Sequence, residues 1–447
     1  MVNFYTPQRK KFTPQKLTVT ISSLDAFGQG VTNHKGKTIF VKSALPDETV
    51  DIELTENKKN YAKAKVIRYH NQSKYRVKPL CEYYQQCGGC ELQHIAPQMQ
   101  QQAKYDALIN LLQKETGQPL TNIVKNSPQI IADQSYHYRR RARLSINIVK
   151  GQLAIGFRQA ESNQIINIKH CPILVDELDS LLAPLQSMLN NIKQKKALGH
   201  VELISVDSGI ILVLRHTMPL SNHDVNLLKE FAENNNISLY FHGDDLIHIA
   251  GNTEHFYLIN HLKLTFSPLD FIQVNCKINQ KMIEQALNWL TLQPTDQVLD
   301  LFCGMGNFSL PIAKLSKTVT GVEGVDALVE KAKFNTILNN TEICAETNFL
   351  TSNLDDTQQF SIWSQSQYNY NKVLLDPARA GAFNATIEIA KLAPSKIVYI
   401  SCNPATLARD SKQLIDAGYQ IAQVAILDMF PQTKHIESML LLIKSGT

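Results

Sequence analysis

The sequence predicts a three-part α/β chain: a five-stranded β-barrel, a mixed α/β region, and a mostly parallel sheet covered by helices on both faces. Three observations carry this expectation. From about residue 271, strand-like runs alternate with helical periodicity in the order QVLDLFCG, NFSLPIAKL, KTVTGVEGV, DALVEKAKFNTILNN. Such alternation builds a parallel sheet buried on both sides. Residues 17–70 instead hold short β-rich runs cut by Gly, Pro, Asn and Asp, the spacing of a small barrel. Finally, 447 residues amount to about three domains of ~150.

Composition narrows the classes. With 44% hydrophobic and 19% charged residues the chain has material for real cores and is not disordered. No apolar run approaches the ~20 residues of a membrane span. The N-terminus MVNFYTPQRKKF has no apolar stretch of a secretory signal, so a reducing, cytoplasmic location is expected. Eight cysteines then suit metal binding or catalysis better than disulfides. Residues 1–80 carry 15 Lys+Arg against 6 Asp+Glu, and the remainder 30 against 34. A basic end on a near-neutral body suits an anionic partner, or equally a solvated surface.

Along the barrel, LTVTISSLD, KTIFVKSAL, ETVDIELTE and YAKAKVIRYH read as strands, with Gly28 and Gly30 at turns. In YAKAKVIR the basic residues alternate with apolar ones, so one face is a basic stripe. Next come Cys81, Cys87 and Cys90, with Cys171 in HCP further on. From the residues alone these could form a four-thiolate site for zinc or iron–sulfur. Residues 97–116 read as a helix stopped by Gly117. SYHYRRRARLSINIV then places Arg139, Arg140, Arg141 and Arg143 among Tyr136, His137 and Tyr138. Guanidinium and aromatic groups together suit RNA phosphates and unpaired bases; an ordinary charged strand edge is the alternative.

Four motifs end strands of the C-terminal part, where ligands of such sheets bind. DLFCGMGNF has two glycines but Ser309 in place of a third, which argues against a dinucleotide. Acidic Asp300 suits a cationic cofactor without phosphates, such as S-adenosylmethionine. Glu323, about 20 residues on, is placed to hold ribose hydroxyls, and Asn353 to meet adenine. Asp376 in DPARAG projects from a strand end. Cys402 in SCNPATLARD precedes a helix, whose N-terminus favours thiolate. Glu437 in FPQTKHIESM opens the last strand and is a candidate general base. A thiolate, a methyl donor and a base suit one reaction. Thiolate addition to C6 of a uracil makes C5 nucleophilic. After methylation the base removes the C5 proton and the thiolate leaves. The target base must be extruded from its stack.

DLFCGMGNF, LLDPARAG, SCNPATLARD and MFPQTKHIESM together resemble the RNA 5-methyluridine methyltransferases over essentially the whole chain, most nearly the branch that modifies uridine 1939 of 23S rRNA. The resemblance implies a class I (Rossmann-like) methyltransferase domain with S-adenosylmethionine, behind a TRAM/OB-like barrel. Cys402 would be the nucleophile and Glu437 the base. Gln273 (in FIQVN), Phe302, Asn307, Glu323, Asn353 and Asp376 would contact the cofactor. Cys81, Cys87, Cys90 and Cys171 would hold a [4Fe–4S] cluster. The expected domains are 1–75 (TRAM barrel), 76–265 (central, cluster-bearing and RNA-binding) and 266–447 (catalytic), with helix 97–116 packed on the last. The expected partner is 23S rRNA or a precursor of the large ribosomal subunit, bound by a monomer. Two alternatives stand beside this: the same chemistry on the T-loop uridine of tRNA, and a non-catalytic RNA-binding protein.

Overall fold

The computed structural model describes residues 15–25, 27–121, 123, 129–149, 152–340, 342–364 and 369–446. The N-terminal stretch read above for its missing signal lies outside them. No helix among the described residues is long and apolar enough to cross a membrane.

The barrel has strands β1 (Lys16–Thr20), β2 (Ser23–Leu24), β3 (Gly30–His34), β4 (Lys37–Lys42), β5 (Thr49–Asn57) and β6 (Tyr61–Tyr69), in the order β1-β5-β6-β4-β3-β2. Six strands replace the expected five because the first run bends at Ile21–Ser22. Its first half pairs with β5 and its second with β3, so one segment joins both edges of the sheet. This closure leaves no long free edge for another chain to pair with. Val19, Ile21, Ile39, Val41, Val50, Ile52, Ala62 and Ala64 fill the interior. The alternation in β6 turns Lys63 and Lys65 outward. There they pair with Glu56 at 3.3 Å and Glu53 at 2.7 Å, so the stripe is less basic than its sequence.

After the cysteine-bearing loops comes helix α1 (Pro97–Thr116). Proline begins it, and Gly117 ends it with φ 70°, its N–H donating to the Gln113 carbonyl. Left-handed backbone is open to glycine at little cost. Tyr105, Leu108, Ile109 and Leu112 recur at helical spacing, so α1 buries this face in the catalytic core beside Leu407, Leu414 and Val424.

A short strand β7 (Gln129–Ile131) follows, then β8 (Arg141–Val149), β9 (Gln152–Arg158) and β10 (Ile165–Asn167). Helix α2 (Leu182–Asn190), strands β11 (Leu198–Val206) and β12 (Gly209–His216), helix α3 (Asn222–Asn234), and strands β13 (Ile237–His242) and β14 (Leu246–Ala250) complete the central region. Its sheet runs β10-β9-β8-β11-β12-β13-β14. Only β12 and β13 are parallel, and α3 makes that crossover, since parallel neighbours need a long connection.

A hairpin, β15 (Phe256–Ile259) and β16 (Leu262–Thr265), leads into the catalytic region: α4 (Cys276–Leu290), β17 (Gln297–Leu301), α5 (Ser309–Ala313), β18 (Thr318–Glu323), α6 (Asp326–Leu338), β19 (Glu346–Thr351), β20 (Lys372–Leu375), α7 (Phe383–Leu392), β21 (Lys396–Ser401), α8 (Pro404–Asp416), β22 (Tyr419–Leu427) and β23 (Glu437–Lys444). The sheet order is β19-β18-β17-β20-β21-β23-β22-β7. β17 to β21 are mutually parallel, and β23 is antiparallel to both its neighbours. The expected α/β sheet is therefore present. The order reverses between β17 and β20, which opens a crevice at their carboxyl ends.

Packing and strand pairing cross the boundary expected at 265/266. Tyr257, Ile259, Leu262 and Leu264 of the hairpin share one core with Ile278, Met282 and Val298. β7 lies far outside 266–447 yet pairs with β22 as the eighth strand of the catalytic sheet. Short apolar segments join whichever face or edge is free, and sequence distance does not forbid it.

Candidate active site

At the carboxyl edge of the sheet lies a cleft of about 890 Å³. Each strand end delivers one group. Phe302 and Gly304 follow β17, Glu323 ends β18, Asp376 follows β20, and Cys402 follows β21. Glu437 reaches the same rim because β23 runs the other way, so its first residue lies where its neighbours end. Cys402, Glu437, Asp376, Glu323, Asn307 and Gln273 all line this one cleft.

The turn after β17 is strained toward the cleft. Phe302 has φ 61° and Gly304 φ 54°. A Cβ on Gly304 would meet nothing within 4 Å, so its backbone faces open space, whereas one on Gly306 (φ 100°) would strike Leu310. Left-handed backbone at a bulky residue such as Phe302 costs roughly 1–3 kcal/mol and clusters at functional sites. Glu323 spans the next two turns. Its carboxylate accepts from the Gly304 N–H at 3.1 Å and from the Gly324 and Val325 N–H groups at 2.8 and 3.2 Å. Asn307 is held by a reciprocal amide pair with Asn279, 3.1 Å each way, and by the Tyr257 hydroxyl at 3.3 Å.

Asn279 and Tyr257 escaped the sequence reading. Asn279 carried one faint signal, its i+4 spacing from Asn275 on a helix. Tyr257, on a hairpin with no motif, carried none. Asn353 does not join the cleft. It is exposed after β19, its Oδ1 accepts from the Asp355 N–H at 3.0 Å, and its own N–H is taken by Gln359. This local Asx turn is what an Asn beyond a strand end commonly forms.

The electrostatics also depart from the sequence reading. Burial pushes Asp376 up to about 7. Asp300 is 1% exposed and is pushed up to about 7, first by burial and then by the Asp376 and Glu323 charges, although the Ser309 hydroxyl bonds it. Glu437 stands well above the ordinary carboxyl range through burial and then Asp376. The Cys402 thiol is raised rather than lowered, by burial and then by Glu437 and Asp376. These effects outweigh the helix N-terminus, where Asn403 caps α8, its Oδ1 accepting from the Ala405 N–H at 3.1 Å. Arg379 is the cation that opposes the rise at both Cys402 and Glu437. It also holds His435 down, after burial.

Cys81, Cys87, Cys90 and Cys171 line the same cleft. All four are free thiols. Burial first, and then one another's charge, raises Cys90 and Cys171 to about 12. Among the described residues no group of three or more His, Cys, Asp or Glu side chains is set to hold a single metal ion. Cys344 lies apart from these and is exposed.

The arginine cluster divides. Arg140 is 4% exposed. It lies over the Tyr257 ring at 4.8 Å and donates to the Gln273 carbonyl at 2.8 Å. Arg141 pairs with Glu202 at 2.7 Å and donates to the Pro268 and Asp270 carbonyls. These two fasten the central region to the catalytic one and are corrected from RNA contacts to internal braces. They stand in a consecutive basic run at the entry of β8, Arg140 just before the strand and Arg141 as its first residue. Arg139 remains on the cleft wall and Arg143 is exposed.

Comparison with known proteins follows this geometry. The family described as tRNA (Uracil-5-)-methyltransferase matches residues 104–445, and the TRAM domain matches residues 10–67. The chain is 47% identical over 445 residues to the 23S rRNA (uracil(1939)-C(5))-methyltransferase of Photorhabdus laumondii, covering 99% of each chain. It is likewise 47% identical over 447 residues to the protein of that name from Yersinia enterocolitica, again covering 99% of each. Among solved structures, the Pyrococcus abyssi tRNA (uracil-54, C5)-methyltransferase, in complex with S-adenosyl-L-homocysteine, superposes with a TM-score of 0.70 at 21% identity. That match covers 96% of this chain and 100% of the other and shows the shared fold. With an N-terminal TRAM domain and a family match over most of its length, the chain belongs to the tRNA (uracil-5-)-methyltransferase family.

Proposed function

We propose that this chain methylates C5 of one uridine of 23S rRNA, the equivalent of uridine 1939, using S-adenosylmethionine. The substrate comes from the 47% identical relatives. The observation that carries the chemistry is that a thiol, Cys402, and a buried carboxyl, Glu437, share one cleft with the strained turn of Phe302 and Gly304.

In this reading Gln273, Phe302, Asn307, Glu323 and Asp376 hold the methyl donor. It supplies an electrophilic methyl group beside the base. Cys402 Sγ, its thiol proton lost to solvent, bonds to C6 of the extruded uracil, and C5 takes the methyl, the donor's sulfonium sulfur being left as a neutral thioether. Glu437 then removes the C5 proton, C5–C6 is restored as a double bond, and the sulfur leaves. A carboxyl with a raised pKa is a stronger base once ionised, which suits Glu437. Arg379 supplies positive charge against the thiolate and the carboxylate.

The finer parts of the reading follow. Cys81, Cys87, Cys90 and Cys171 hold a [4Fe–4S] cluster, a four-thiolate site. Arg139 and Arg143 contact RNA. The barrel occupies 1–75, the central region runs from 76 to the hairpin at 256, and the catalytic region takes the rest with α1 and β7. The enzyme works in the cytoplasm as a monomer, on rRNA or a precursor subunit.

The test is incubation with methyl-labelled S-adenosylmethionine and, separately, unmodified 23S rRNA and tRNA transcripts, followed by digestion. Label in 5-methyluridine at one rRNA site is the expected result. Label in the T-loop of tRNA overturns the substrate, and no label in either RNA or in precursor subunits overturns the reaction.

A further inference from the structure

The connection between β22 and β23 is held in an unusual way. Asp428 is 2% exposed and Gln432 1%, although both lie in a loop. Four successive carbonyls of this loop are each bonded by a different part of the chain. Met429 accepts from the Asn275 amide at 3.5 Å, at the start of α4. Phe430 accepts from Lys104 of α1 at 3.3 Å. Pro431 accepts from the Tyr138 hydroxyl of the central region at 3.0 Å. Gln432 accepts from the Glu91 and Leu92 N–H groups, beside Cys90, at 3.0 Å each.

Side chains reinforce the set. Lys104 pairs with Asp428 at 3.0 Å. The Gln100 amide donates to Gln432 Oε1 at 2.9 Å, and its oxygen accepts from the Gln432 N–H at 3.1 Å. Gln432 itself has φ 68°, so the loop is held in a conformation its residues do not prefer.

This matters for Glu437 because of where the ladders end. Glu437 pairs with Leu427 as the last pair of the β22–β23 ladder, and Ser438 with Ser401 as the last of β21–β23. Terminal pairs open most easily. A carboxyl on the first residue of a strand is placed as well as the loop before it is placed.

We propose that Gln100, Lys104 and Tyr138 are positioning residues for Glu437, acting through the 428–432 loop. The inference rests on the function proposed above. It assigns to these three residues the proton-removal half of the reaction, not the addition of sulfur or the methyl transfer. When the loop loosens, Cys402 still adds to C6 and C5 still receives the methyl group. The C5 proton then departs slowly, and the methylated protein–RNA adduct accumulates.

The experiment is a single-turnover time course with methyl-labelled S-adenosylmethionine and the RNA, quenched in detergent. Label bound to both protein and RNA is read against label in free RNA. Tyr138→Phe removes one hydroxyl and little volume, and Gln100→Met keeps the side-chain length if the tyrosine change proves too mild. Glu437→Gln is the reference for complete trapping. Adduct formation within about twofold of wild type, with adduct decay about tenfold slower, is expected from losing a buried hydrogen bond. Decay at the wild-type rate in both variants overturns the inference, and so does equal slowing of formation and decay, which marks a merely structural role. If wild type makes no 5-methyluridine and Glu437→Gln traps no adduct, the parent reading fails at the controls, before the variants are compared.

Discussion

Ser401 pairs with Ser438 across the β21–β23 ladder, and this register sets Cys402 and Glu437 at the same end of adjacent antiparallel strands. One runs off its strand as the other begins its own. A nucleophile and a base thus reach one rim from residues 35 positions apart. Their approach is set by the register of adjacent strands together with the loop that precedes Glu437. The same closeness has an electrostatic consequence, since the Glu437 charge, after burial, raises the Cys402 thiol.

Cys402→Ala is expected to lower turnover by at least about 10³-fold, as removal of a covalent nucleophile does, with cofactor affinity unchanged. Labelled-methyl transfer and equilibrium dialysis read the two quantities separately. Turnover within tenfold of wild type sinks the nucleophile assignment.

Glu437→Gln is expected to give a denaturation-resistant protein–RNA band carrying the labelled methyl group. The amide cannot take the C5 proton, so the reaction stops after methyl transfer. A variant that releases methylated RNA normally places the base elsewhere.

Asp300 predicts a slope of stability with pH. Its folded value of about 7 exceeds the ordinary 3.8, so between these values the folded chain holds a proton that the unfolded chain has lost. Stability from this group is present below ~4 and is lost as pH rises through ~7. Asp300→Asn should therefore match wild type near pH ~4 and unfold at a higher temperature at pH ~8. Thermal unfolding across that range checks it; a constant offset at all pH values contradicts the buried-carboxyl account.

Lys104 and Asp428 are 3% and 2% exposed. Lys104→Met leaves an uncompensated buried carboxylate, a loss of about 3–5 kcal/mol in denaturant unfolding. Adding Asp428→Leu should recover most of that loss, because the remaining charge is gone. Failure of the double variant to recover would mean that packing, not charge, sets the cost.

Cys90→Ser is expected to remove iron and acid-labile sulfide from the purified protein, and its visible absorbance with them. Zinc in place of iron in the wild-type protein would reassign the four-thiolate site.

Much of this protein was legible from local pattern. The βα alternation after residue 271, the barrel runs, helix 97–116 and the strand-end positions of Phe302, Glu323, Asp376, Cys402 and Glu437 follow from periodicity and turn chemistry, both of which are short-range. What failed has a common cause. Arg140 and Arg141 are indistinguishable in sequence from Arg143, and the docked hairpin and the 268–274 segment make them internal. Cys402 precedes a helix, which favours thiolate locally, yet burial in the tertiary cleft and then two carboxyls from other strands reverse the sign. Asn353 sits at a strand end like Glu323 but folds into its own turn.

Sequence by itself therefore determined the element types, their order, and which residues stand at the carboxyl edge. Tertiary structure alone decided that β7 completes the catalytic sheet, that Asn279 and Tyr257 hold Asn307, and that the 428–432 loop is bonded from four directions. Periodicity records which face of an element is buried. Partners and charges arriving from distant segments leave no period behind, because a hydrogen bond or a field depends on spatial distance and not on chain separation.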